Sequence, residues 1–165
     1  MKTLLPLLLL AATLLPAQEL KYDNAGLGQV VQTASFEFAN FKMYENENEW
    51  KGKTVSVSGL YYPNRIYSRT KSVLIHISGT GAFGPVSTAV YLDSPLPTTV
   101  SYGQETPVMT PGMSARVVGT LKRTEPFITW EGYQMMLPAM ECIAIYRQDD
   151  ANLQYPIWVS RAYKR

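Results

Sequence analysis

The sequence has 165 residues, of which 46% are hydrophobic and 17% charged, with a formal net charge of +2. That length favours one domain, and a charge so close to neutral disfavours nucleic acid as a partner. The single cysteine, Cys142, excludes an internal disulfide. It reads as a small buried apolar side chain, with an intermolecular bridge as the alternative.

The chain starts Met1-Lys2-Thr3 and continues from Leu4 to Leu15 as a leucine-rich run that ends near Ala17. A short basic start, an apolar stretch of about 12 residues and a small-residue exit describe a cleavable secretory signal over residues 1–17. Such a run is shorter than the roughly 20 apolar residues a helix needs to cross a bilayer. An uncleaved anchor is the alternative. No cysteine follows for lipid attachment, and no later stretch is long and apolar enough to span. The expected location is therefore periplasmic or secreted, with no membrane span once the leader is gone. Losing Lys2 would leave the mature chain at +1, one less than the +2 of the whole.

Beyond the leader the expected divisions are an N-terminal extension over 18–49, a β domain over 50–147 and a C-terminal tail over 148–165. Glu19 to Gly28 is a loose lead-in. Residues 29–44 fit a helix through Val30, Ala34, Phe38, Phe41 and Tyr44, or a strand through Phe36 and Phe38, with helix favoured in the first half. Glu45 to Glu49 reads as a turn. Lys53 to Gly59 alternates with period two, and Tyr61 to Tyr67 continues it around a bend at Pro63 and Asn64. Ser72 to Ser78 alternates again, with Val73, Ile75 and Ile77 on one face. Gly79 to Pro85 reads as a turn-rich loop, and Thr88 to Asp93 as a third strand. Four prolines make Ser94 to Pro111 a loop. Ser114 to Lys122 is a fourth strand with Ala115, Val117, Gly119 and Leu121 inward. Tyr133 to Leu137 and Met140 to Arg147 follow, the latter with Met140, Cys142 and Ala144 on one face. Ile157 to Val159 suits an edge strand.

The segments Trp50-Lys51-Gly52-Lys53-Thr54-Val55-Ser56-Val57-Ser58-Gly59 and Pro111-Gly112-Met113-Ser114-Ala115-Arg116-Val117-Val118-Gly119-Thr120-Leu121 carry a resemblance. Both resemble strand openings of exported bacterial OB-fold domains, among them the tRNA-anti-like group and uncharacterised periplasmic families, over about residues 50–147. The resemblance implies a mainly β chain: a small five-stranded Greek-key barrel whose strand glycines permit sharp bending. The proline-rich stretch leaves little room for the usual helix between the third and fourth strands. A β-sandwich is the alternative fold.

In such a barrel, ligands lie across the second and third strands and two flanking hairpin loops. The first hairpin here carries Tyr61, Tyr62, Asn64, Arg65, Tyr67, Arg69 and Lys71, and the second Lys122, Arg123, Phe127, Trp130 and Tyr133. His76 and Tyr91 stand on the strands between. Aromatic rings offer stacking planes, and Arg and Lys offer anion contacts. The opposing reading is that the tyrosines cover barrel ends and the cations solubilise loop tips.

These features imply a non-catalytic binding module for an oligosaccharide, an anionic envelope component or a protein. One alternative is a structural or assembly partner in the envelope, acting through the proline-rich loop and the tail. Another is a small hydrolase centred on His76, which would need a carboxylate such as Asp93 and a serine beside it. No phosphate loop, dinucleotide fingerprint or nucleophile elbow is present. One histidine and one cysteine are a thin basis for zinc. No cofactor and no metal are expected.

Overall fold

A computed structural model of the chain describes residues 24–35, 40–63, 66–67, 74–81, 84–101, 104–129 and 131–164. The expected leader, Phe36 and Phe38 lie outside the described residues. What is described is mainly β, preceded by three short helices: α1 (Asn24–Thr33), α2 (Asn40–Glu45) and α3 (Glu47–Trp50).

Of the two readings of residues 29–44, helix holds for α1. It buries Leu27 and Val31 one turn apart, followed by Ala34, against Val118, Ala144, Tyr146 and Val159 of the sheet. The acidic stretch expected as a turn forms α3 instead. Asn46 caps it, its side chain accepting from the Glu49 N–H, and Glu47 and Glu49 suit the positive end of the helix. Trp50 at its end is buried between the ammonium groups of Lys42 and Lys53, 5.1 and 4.5 Å from the ring centroid.

The strands are β1 (Thr54–Pro63), β2 (Ile66–Tyr67), β3 (Leu74–Gly81), β4 (Gly84–Tyr91), β5 (Thr98–Ser101), β6 (Gln104–Pro107), β7 (Ser114–Thr129), β8 (Gln134–Arg147) and β9 (Pro156–Val159). A single 3-10 turn, Arg161–Tyr163, follows. The main sheet has the order β2-β7-β1-β3-β4-β8-β9, and β7 pairs β8 as well as β1. Every pairing in it is antiparallel except β4 with β8.

Three expectations change. The proline-rich stretch holds the β5–β6 hairpin, whose one internal proline, Pro107, stands at the strand end, where a missing N–H costs least. The glycine-rich loop is tighter than expected, because β3 and β4 stay paired out to Gly81 and Gly84. The fourth strand runs on through Thr129, and the two segments after it merge into the 14-residue β8.

A fourth change follows from an irregular register. Val118 pairs Ala144 but Gly119 pairs Cys142, so Ile143 is an extra residue and the alternation resets. Met140, Cys142 and Ile145 therefore share the main core with Val55, Val117, Leu121 and Trp158, while Ala144 turns with Tyr146 toward α1. At Gly119 the strands approach so closely that a Cβ would lie 2.5 Å from the Glu141 carbonyl oxygen. Only glycine fits there.

The expected edge strand at the tail is β9, paired to β8. Trp158 is buried and its Nε1 donates to the Ser94 carbonyl at 3.2 Å. Asp93, just past β4, accepts from the Ser160 hydroxyl at 2.6 Å and the Arg161 N–H at 2.8 Å, which ties the tail to the sheet. No helix among the described residues is long and apolar enough to cross a membrane.

Candidate ligand-binding site

The two hairpins meet through backbone pairing. β2, from the first hairpin, adds to the far end of β7, with Ile66 opposite Thr129 and Tyr67 opposite Ile128. That end of β7 is the rising arm of the second hairpin, whose returning arm is the start of β8. Beside them, His76 of β3 stands in register between Tyr62 of β1 and Ala89 of β4. Tyr62 and His76 are therefore register partners on neighbouring strands, while Tyr67 belongs to β2 on the far end of β7.

Tyr61 and Tyr91 do a different job from the one expected. Tyr61 is buried in the main core, and burial pushes its hydroxyl pKa up. Tyr91 is 4% exposed and packs with Ala89, Phe127, Leu137 and Ala139, its ring centroid 6.2 Å from that of Phe127. Neither ring offers an open stacking face, and Phe127 is equally buried. Tyr62 is half-buried, and Tyr133 at the hairpin tip is 70% exposed.

The described cations near the second hairpin are matched with carboxylates. Lys122 Nζ lies 2.9 Å from Glu141, and Arg123 Nε lies 3.5 Å from Glu125 Oε1. The other oxygen of Glu125 accepts from the Tyr91 hydroxyl at 2.7 Å. Glu125 thus links a buried ring to a surface guanidinium. Sequence reading passed it over, although Arg123 and Glu125 stand two apart on one strand and so share a face. Arg65, Arg69 and Trp130 lie outside the described residues, as do Asn64 and Lys71; for Tyr67 and His76 the backbone alone is described.

Asp93, the carboxylate considered for His76, is occupied by Ser160, Arg161 and Ser94. Burial alone would raise its pKa. The bonds from the Ser160 side chain, the Arg161 backbone and Ser94, with the charge of Arg161, outweigh that and hold it below the usual value. Among the described residues no three His, Cys, Asp or Glu side chains gather where a metal ion would sit. Cys142 is buried and its thiol pKa is pushed well up, so it is a packing residue here.

No protein-family model matches the chain, and no curated protein matches its sequence.

Proposed function

We propose that the chain is an exported, non-catalytic binding module on an OB-like barrel, and that it takes an uncharged oligosaccharide between its two hairpins. The observation that carries this is the pairing of β2 with β7, which sets the tyrosine-rich first hairpin beside the second. Tyr62 and Tyr133 are the described aromatics of this reading, and the sequence adds Tyr67 and Trp130 as further candidate stacking residues. Lys122 and Arg123, the described cations of the second hairpin, have carboxylate partners, which on that side favours a neutral ligand over an anionic one.

The barrel reading has its own support. The five long strands pair in the order β1, β3, β4, β8, β7, and β7 pairs β1 again. A ring of pairings is what a barrel requires. The glycine contact and register shifts in β7 supply the local bending that a small barrel needs. The leader over residues 1–17 supports export.

Thermal-shift screening of residues 18–165 against neutral oligosaccharides tests the reading. A ligand at 100 times its dissociation constant adds about 2.7 kcal/mol of stability. The expected result is a shift that disappears in Tyr67→Ala and in Trp130→Ala, with the ligand-free midpoints kept. A panel giving no shift, or a shift that both variants retain, overturns it.

A further inference from the structure

A cleft of about 320 Å³ opens between α1, the end of β8 and the loop before β9, with Leu27, Gly28, Gln32, Asn152, Leu153 and Gln154 among its walls. That volume is at the small end of ligand pockets, which run from about 300 to 1,000 Å³.

Two local rules are broken on its walls. Gly28 sits inside α1, where glycine weakens a helix relative to alanine. Crowding does not require it, since a Cβ there would meet nothing within 4 Å. The glycine keeps space open. Across the cleft, Leu153 has φ of 52°, a left-handed conformation that a bulky side chain disfavours. The Asp150 carboxylate holds the loop in this shape, accepting from the Gln154 and Tyr155 N–H groups at 3.2 and 2.7 Å. Strain that the surrounding structure imposes in this way gathers at ligand sites.

The chemistry of the walls narrows the ligand. Among the described residues no charged side chain lines the cleft. The exposed amides of Gln32 and Asn152 come from two elements, and each amide type offers both donors and an acceptor. Neighbouring hydroxyls on one ligand need that combination. Leu153 adds apolar surface for a C–H face, whereas an ion would find no countercharge among the described walls.

We propose that this cleft is a second binding site, for a small uncharged polyhydroxylated ligand of monosaccharide size. None of its described walls comes from β2 or from the tip of the β7–β8 hairpin, so it stands apart from the oligosaccharide reading.

The test is titration calorimetry of the protein with glucose, N-acetylglucosamine and glucuronate. At least one neutral sugar is expected to bind, and glucuronate to bind more than about tenfold more weakly. Gly28→Leu should fill the cleft and weaken binding by more than about tenfold, with a thermal midpoint kept or raised. Gln32→Ala, a change at the exposed helix surface, should also weaken binding and leave the midpoint alone. Tyr67→Ala should leave this site untouched, which separates its failure from that of the hairpin site. Absence of binding by both neutral sugars, equal binding of glucuronate, or full affinity in both cleft variants overturns the proposal.

Discussion

The ladder between β7 and β8 has two halves that share strands and little else. In the near half, Ala115, Val117, Val118, Leu121, Met140, Ala144 and Ile145 are all fully buried, the inner face against the main core and the outer against α1. In the far half, past the shift between Leu121 and Thr124, one face buries Phe127 and Leu137 while Met136 on the other is half exposed. Pro126 stands opposite Met136, whose carbonyl is turned away to accept from the Tyr44 hydroxyl at 2.8 Å. The ladder needs no N–H from Pro126 at such a position. Packing on both faces fixes the near half, whereas the far half is packed on one face and otherwise held by backbone pairing and a few polar contacts.

Substitutions should separate the halves. The largest effect is expected from Leu121→Ala, which empties the near core and should cost about 3 kcal/mol in urea unfolding. Gly119→Ala comes next, at about 2 kcal/mol, because its methyl group meets backbone that cannot step aside. Met136→Ala in the far half should change stability by less than about 0.5 kcal/mol. Equal losses at Leu121 and Met136 would break the comparison.

A middle-sized effect belongs to Asp93, which clamps the tail behind the near half. Asp93→Asn should cost about 1 kcal/mol at neutral pH. Its carboxyl titrates lower in the folded chain than in the unfolded one. The stability it contributes is therefore present above about pH 4 and lost as pH falls through the lower folded value. Unfolding midpoints measured from pH 7 down to pH 2 should fall less steeply in Asp93→Asn than in the parent. Lys122→Ala, like Met136→Ala, should cost only about 0.5 kcal/mol or less, since its pair with Glu141 is half exposed.

The near half was the most legible part of the sequence. Ala115, Val117 and Leu121 face inward as their alternation requires, whereas Gly119, expected to permit bending, stands where a Cβ would meet the Glu141 carbonyl. What alternation cannot reveal is an inserted residue: Ile143 resets the pattern, and Ala144 leaves the face that Met140 and Cys142 share. Local pattern also misjudged Ser94–Pro111, because its prolines leave room for the short β5–β6 hairpin. Of the candidate site, Tyr62 and Tyr67 were legible as members of one hairpin segment, but the pairing of Tyr67 with Ile128 of β7 was not. The burial of Tyr91 was not, for it depends on Phe127 and Leu137 arriving from β7 and β8. Its bond to Glu125 spans 34 positions, beyond the reach of any local pattern.

The most direct test of the shared site is an amide chemical-shift map of labelled residues 18–165, titrated with the neutral oligosaccharide that gives the largest thermal shift. Perturbations over both Tyr62–Tyr67 and Phe127–Tyr133 are predicted, developing together with one dissociation constant. Perturbations confined to one hairpin, or falling elsewhere on the sheet, would contradict the account.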